Sequence, residues 1–275
     1  MRKKTKNLLI AGTGLAVIYG ILRSVAIRKT EDKSMNNDNP YIKPDIGAEV
    51  CGTREVSIYE AKVKPVLDQI LSFSGLVLLS PLYGAIALAI KMDDSGPVLF
   101  IQKRIGKNKA YFMCHKFRSM RMDTPHDVPT HQLSNPDMYI TRVGRILRRT
   151  SLDELPQIWD IFCGKMSVIG PRPALWNQND LIEERDRYGA NDVLPGLTGL
   201  AQINGRDELE IVDKARMDGK YVHTLTAGGI RAMMLDTYCF FGTVVSVIKS
   251  DGVVEGGTGG MRNNNMKSNK IKRDI

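Results

Sequence analysis

Leu71-Ser-Phe-Ser-Gly-Leu-Val-Leu-Leu-Ser-Pro-Leu-Tyr-Gly-Ala-Ile-Ala-Leu-Ala-Ile90 carries no charge over twenty residues. A straight helix of that length spans a hydrocarbon layer of about 30 Å. Pro81 stands at its middle, where it removes a backbone donor and clashes with the preceding turn, and Ser80 offers its hydroxyl to a freed carbonyl. A break at Ser80-Pro81 lets the segment enter a membrane and return to the same face. The same residues also fit a Pro-kinked helix that crosses. Lys62 and Lys64 before it and Lys91 after it suit two ends held at the anionic cytoplasmic leaflet.

Outward from this segment, the chain divides by composition. Leu8 to Leu22 is a second uncharged stretch, with Arg2, Lys3, Lys4 and Lys6 before it and Arg23, Arg28 and Lys29 after it. No small-residue cleavage site follows, so residues 1–28 read as an uncleaved membrane segment in preference to a removed signal. Residues 29–60 are polar and Asn/Asp-rich, a linker by composition, and 61–92 hold the broken apolar helix. From 93 to 251 the pattern is that of a globular unit, with short strands such as Val98–Gln102 and amphipathic helices between Gly and Pro punctuation. Met233 to Val247 is rich in large apolar residues and fits either an interfacial helix or a core helix. Residues 252–275 hold too few apolar groups to pack and read as a disordered basic tail.

The whole chain of 275 residues carries 39 Lys and Arg against 30 Asp and Glu, a formal charge of +9. That balance favours an anionic partner: lipid headgroups, a phosphorylated metabolite or nucleic acid. The four cysteines (Cys51, Cys114, Cys163, Cys239) are far apart with no Cys-x-x-Cys, which argues against a zinc site and a disulfide framework. None of the four histidines (His115, His126, His131, His223) has a partner at a telling spacing, so none is assigned as a general base.

The densest chemical signal is Thr141-Arg-Val-Gly-Arg-Ile-Leu-Arg-Arg-Thr-Ser-Leu-Asp-Glu-Leu-Pro-Gln157. Arg142, Arg145 and Arg149 recur along one side of a helix, with Arg148 close by. The acid pair Asp153-Glu154 follows at once. Ser151-Leu-Asp-Glu154 also fits a capping box, with Ser151 capping the next helix and Glu154 reaching back to the Ser151 amide. That arrangement places Asp153 in a first helical turn, where free N–H groups favour anions. A carboxylate beside a phosphate site and backed by arginines is equipped to attack phosphorus, because the cations offset repulsion between the two anions. Lys116-Phe-Arg-Ser-Met120, after a strand, and Ile169-Gly-Pro-Arg-Pro173 present further cations in rigid surroundings. Pro195-Gly-Leu-Thr-Gly-Leu-Ala-Gln-Ile-Asn-Gly-Arg206 is a third such loop.

In order, Ser80-Pro81, Gly96-Pro-Val-Leu-Phe-Ile-Gln-Lys-Arg104, Lys116-Phe-Arg-Ser-Met120, Arg148 to Gln157, Met166-Ser-Val-Ile-Gly-Pro-Arg-Pro173 and Pro195 to Arg206 resemble the bacterial sugar transferase family, the monotopic polyprenyl-phosphate phosphoglycosyl transferases. The resemblance runs from about Lys64 to Val254. It implies an α+β fold, mainly helical with a small sheet, attached by a re-entrant helix broken at Ser80 and Pro81 and by interfacial amphipathic helices. The implied location is the bacterial inner membrane, with the catalytic domain on its cytoplasmic face.

The implied reaction moves a phosphosugar from a UDP-sugar to polyprenyl (undecaprenyl) phosphate and releases UMP. It begins surface polysaccharide or glycoconjugate assembly. Asp153 would be the nucleophile that forms a covalent phosphosugar intermediate. Glu154 would orient it or share in holding magnesium. Pro171, Arg172 and Pro173 would meet the uracil end, and Lys116, Arg118, Arg148 and Arg206 the phosphates. Membrane lipids are expected partners and nucleic acid is not, while the oligomeric state, the sugar and the glycan pathway are left open. The competing reading is a non-catalytic basic membrane scaffold that binds anionic lipid or nucleic acid; it requires neither the acid pair nor the ordered Pro/Gly loops.

Overall fold

The computed structural model describes residues 35–36, 39–40, 54–124, 136–205 and 209–249. The first apolar segment, most of the polar linker, the basic tail, His126, His131 and Arg206 lie outside the described residues.

A π-helical turn, Tyr59–Val63, runs into helix α1 (Lys64–Leu78). At Leu79 the backbone leaves the helix with φ −89° and ψ 0°, and helix α2 (Ser80–Asp93) sets off with Pro81 in its first turn. The two helical pieces are bent by 60°. Proline has no N–H to continue the ladder, and the Ser80 hydroxyl donates to the Val77 carbonyl at 2.8 Å. The expected break is thus present, centred one residue ahead of Ser80. Among the described residues no single helix is long and apolar enough to cross a membrane; the bent pair reaches that length and composition together.

Helix α1 is amphipathic in an inverted sense. Lys64, Asp68 and Ser72, spaced four apart on one face, are buried against protein, while Val66, Ile70, Phe73, Val77 and Leu78 are exposed. The polar stripe is keyed into the globular unit: Lys64 Nζ donates to Asp236 at 2.8 Å, and Asp68 accepts from Ser167 Oγ at 2.7 Å and from the Val168 N–H at 3.0 Å. In water such a helix would be turned inside out, whereas in lipid an apolar outer face costs nothing.

The fold is mainly helical, and the small sheet content expected from sequence is present as two separate strand pairs. Strands β1 (Leu99–Ile105) and β2 (Tyr111–Phe117) form an antiparallel hairpin in register from Leu99↔Phe117 to Ile105↔Tyr111. The first strand therefore continues past Gln102, and the Lys116 motif begins inside the second strand instead of following it. Strands β3 (Ser167–Ile169) and β4 (Gly196–Thr198) pair in parallel. Their chains touch so closely beyond the pairing that a Cβ on Gly196 would stand 2.1 Å from the Gly170 nitrogen.

Around these pairs lie helices α3 (Arg142–Arg149), α4 (Gln157–Phe162), α5 (Asn179–Asp186), α6 (Leu200–Ile203), α7 (Ile211–Ala227) and α8 (Gly229–Lys249). Helix α8 has two unlike sides. It buries Ala232, Asp236 and Cys239 on one side and exposes Ile230, Met234, Tyr238 and Phe241 on the other. Part of the stretch read as linker is packed. The Asn36 side chain accepts from the Tyr111 N–H at 2.7 Å and donates to the Tyr111 carbonyl at 3.1 Å, and Met35 packs against the core cluster of Ile105, Tyr111, Ala174, Leu181 and Ile182.

Candidate active site

Helix α3 is capped by Thr141, whose hydroxyl accepts from the Gly144 N–H at 2.9 Å. A Cβ on Gly144 would lie 2.0 Å from the Ser119 carbonyl oxygen, so glycine alone lets this helix rest on the backbone after β2. One turn later, Arg148 Nε donates to Ser119 Oγ at 2.9 Å.

The chain then turns through Ser151 in the left-handed conformation, φ 57°, into a single 3-10 turn, Leu152–Glu154. The expected capping box is not formed. An N-cap needs an extended backbone to aim its hydroxyl at the amides ahead; Ser151 makes no side-chain cap, and α4 starts only after Pro156. Asp153 therefore lies in a tight turn and not in a first α-helical turn. Glu154, freed from reaching back, points across to the hairpin.

There the acid pair is treated asymmetrically. Glu154 receives Lys116 Nζ at 3.0 Å and a two-pronged contact from Arg172, Nη1 at 3.1 Å and Nη2 at 2.5 Å. Asp153 is equally buried but takes no hydrogen bond or ion pair among the described residues. Burial pushes its carboxyl above the usual carboxylate range; Lys116 opposes that shift, the Glu154 charge adds to it, and Arg148 and Arg172 oppose it. One carboxylate is locked and its neighbour is left open within a ring of cations.

The loop bearing Arg172 is held from several sides. Pro171 and Pro173 are buried, and the Pro171 carbonyl accepts from the Gly196 N–H at 2.8 Å. Arg185 Nη1 donates to the Arg172 carbonyl at 2.9 Å, and Arg104 Nη1 to the Pro173 carbonyl at 3.0 Å. Two guanidinium groups thus grip consecutive carbonyls. Arg185 is neutralised by Asp218, at 2.9 and 2.6 Å, both residues being almost wholly buried.

Of the residues singled out in the sequence, Lys116, Arg148, Asp153, Glu154 and Arg172 converge. Arg118 is buried in another duty: it donates to the Asp94 carboxylate at 3.0 Å and to the Ser95 carbonyl at 3.1 Å, pinning the turn after α2. Sequence reasoning left Arg104 unassigned within its motif and missed Arg185 and Asp218. The available signal for that last pair was a charge at a core-facing position on each of two helices. It also found no partner for His115. Asp160 supplies one, accepting from the His115 N–H at 2.9 Å and meeting Nδ1 at 2.6 Å in a buried pair.

Among the described residues no three acidic, His or Cys side chains are grouped to hold a metal ion. Asp153 and Glu154 provide two carboxylates, the first with its oxygens open. That donor set fits a hard cation that keeps most of its waters and shares its coordination with phosphates.

The model of the bacterial sugar transferase family matches residues 59–250. The chain is 40% identical over 192 residues to the exopolysaccharide production protein PSS of Rhizobium leguminosarum bv. phaseoli, covering 67% of this chain and 94% of that protein. It is 44% identical over 166 residues to the undecaprenyl-phosphate glucose phosphotransferase of Komagataeibacter xylinus, covering 58% of this chain and 31% of the relative. It is 43% identical over 149 residues to the UDP-glucose:undecaprenyl-phosphate glucose-1-phosphate transferase of Xanthomonas campestris pv. campestris, covering 54% and 31%. The chain thus spans about a third of the last two relatives.

Proposed function

The chain belongs to the bacterial sugar transferase family, and on that premise we propose that it transfers a phosphosugar from a UDP-sugar to undecaprenyl phosphate at a membrane surface, releasing UMP. The observation that carries this reading is the asymmetry of the acid pair: Glu154 is fixed by Lys116 and Arg172, while Asp153 stands open beside it.

In the first step an Asp153 carboxylate oxygen attacks the sugar-bearing β-phosphorus. A bond from carboxylate oxygen to phosphorus forms, the bond from that phosphorus to the bridging oxygen breaks, and the electron pair leaves with UMP. In the second step a phosphate oxygen of undecaprenyl phosphate attacks the same phosphorus, the acyl phosphate bond breaks, and Asp153 returns as a carboxylate. No oxidation or reduction occurs. Lys116, Arg148 and Arg172 place positive charge where two anions must meet, and the locked Glu154 holds two of those cations in position. Asp153 and Glu154 would hold magnesium, which supplies charge neutralisation at the diphosphate oxygens.

The inverted amphipathicity of α1 and the apolar outer side of α8 support attachment through a re-entrant α1–α2 pair, on the cytoplasmic side where nucleotide sugars are found. A soluble donor and a lipid acceptor then share one interface.

The test is a panel of UDP-sugars scored for UMP release by the full chain in lipid with undecaprenyl phosphate and magnesium, together with intact-mass analysis of quenched enzyme. The expected result is UMP release from at least one donor and a phosphosugar adduct on Asp153, with Asp153→Asn losing both. Full turnover by that variant removes the nucleophile. Salt-sensitive lipid binding with no transfer to any donor favours the scaffold reading instead.

A further inference from the structure

Among the guanidinium groups around the acid pair, Arg104 and Arg148 have no paired anion among the described residues, and Arg148 rests on the Ser119 hydroxyl. Arg172 is paired with Glu154, Arg185 with Asp218 and Arg118 with Asp94. Among the described residues Arg104 donates only to neutral acceptors, the Pro173 carbonyl at 3.0 Å and Gln102 Oε1 at 2.8 Å, and its Nε–H is enclosed with no hydrogen-bond partner there. A guanidinium taken out of water with no counter-ion is costly. Burial foremost pulls Arg104 down to about 10, with the nearby Arg172 charge adding to that and Glu154 opposing it.

Its position says which anion would repair this. Cross-strand register sets Gln102 against Cys114 and Arg104 against Phe112, so Arg104, Gln102, Cys114 and Lys116 share one face of the hairpin. Lys116 at one end meets Glu154, beside the nucleophile. Arg104, four strand positions away or roughly 13 Å along the backbone, lies under the Arg172-Pro173 loop. A group bound between them runs from the reacting phosphorus toward that loop, where the resemblance to the family implies the uracil end of the donor.

We propose that Arg104 is a further substrate-binding residue, which holds the phosphate of the departing nucleoside monophosphate and takes up the charge that develops there as the bond to the transferred phosphorus breaks. The assignment rests on the two-step reaction proposed above. It makes Arg104 matter for the first half-reaction and not for the second, since the nucleotide has left before the lipid phosphate attacks.

The experiment uses the full chain in lipid nanodiscs, as wild type, Arg104→Met and Arg104→Lys. Titration calorimetry with UMP reads affinity at two salt concentrations. Rapid quench with the UDP-sugar selected by the donor panel reads adduct formation, and a chase with undecaprenyl phosphate reads adduct discharge. For Arg104→Met the expected result is about tenfold weaker UMP binding with a shallower salt dependence, and adduct formation slowed by about tenfold or more, the loss expected for one charge-assisted hydrogen bond. Discharge stays within about twofold, and Arg104→Lys recovers part of the loss. Unchanged UMP affinity and adduct formation in Arg104→Met overturn the proposal. So does an equal fall in both half-reactions, which marks a purely structural grip on the loop. If the methionine variant does not fold, Arg104→Lys decides by the same split: equal slowing of both halves, or of neither, counts against the proposal. A wild-type chain that forms no adduct with any donor fails the underlying reaction instead, a distinct result from a working enzyme indifferent to residue 104.

Discussion

Asp153 and Glu154 are neighbours of the same chemical type, yet their surroundings give them opposite tasks. Glu154 receives two cations and behaves as part of the frame, while Asp153 is buried beside them without a hydrogen bond among the described residues. This has a consequence for stability as well as for chemistry. Burial raises the Asp153 carboxyl above its ordinary range, so the fold disfavours its ionised form. The unfolded chain ionises first as pH rises, and stability falls through the interval up to the folded-state value. Asp153→Asn has no such charge to bury. The variant is therefore expected to melt at a higher temperature than wild type at neutral pH, and the gain should vanish below about pH 4, where the carboxyl is protonated in both states. Thermal unfolding across pH checks this; equal melting temperatures at pH 7 contradict the burial argument. The opposite sign is expected for the clamp behind Arg172. Asp218→Asn leaves Arg185 buried without its anion, a loss of about 3–5 kcal/mol, read as a lower denaturant midpoint.

Among the elements, α1 and the β3–β4 pair depend on contacts that no helix or strand could supply alone. Helix α1 is joined to the globular unit by Lys64 and Asp68, and the Lys64 partner Asp236 also accepts from Tyr59 and Tyr221. Lys64→Met removes the only cation that pairs with Asp236 among the described residues. It is expected to cost about 3–5 kcal/mol in unfolding measured in detergent; a loss below about 1 kcal/mol would mean that the tyrosine hydroxyls suffice. Strands β3 and β4 are three residues each, too short to hold by ladder bonds alone. What they require is room. Gly196→Ala would drive a methyl into the Gly170 backbone and is expected to cost about 3 kcal/mol or more, displacing the Arg172 loop and abolishing UMP release. A variant that folds and turns over normally would show that the two loops have slack.

Over the whole molecule, the docking of Asn36, Met35 and Asn39 on the hairpin edge sets these residues beside the catalytic unit. Pro40 and Lys107 are both exposed. Single cysteines at these two positions are expected to react with an impermeant maleimide from the same side of sealed membrane vesicles. Labelling from opposite sides would detach the segment from the unit it is seen to cover. Much of this organisation was legible in the chain order of residues. Twenty uncharged positions with Pro81 at their centre announced a broken helix, because a missing N–H acts locally whatever surrounds it. Arg142, Arg145 and Arg149 announced α3 through spacing alone, and the motif order pointed to the family and to Asp153. Other features could not be read that way. Ser151-Leu-Asp-Glu154 satisfied a capping pattern that the left-handed backbone at Ser151 rejected, since Glu154 found stronger partners in Lys116 and Arg172, far away in sequence. Arg118 looked like a phosphate ligand and is spent on Asp94, while Arg104 looked like part of a strand and has no paired anion among the described residues. Sequence by itself determined which segments are helical, where the chain breaks and which residue types gather around phosphate chemistry, all of which follow from covalent geometry and short-range periodicity. Only the tertiary structure decided which carboxylate is locked and which is open, because that depends on which cations are brought within hydrogen-bonding distance by elements remote along the chain.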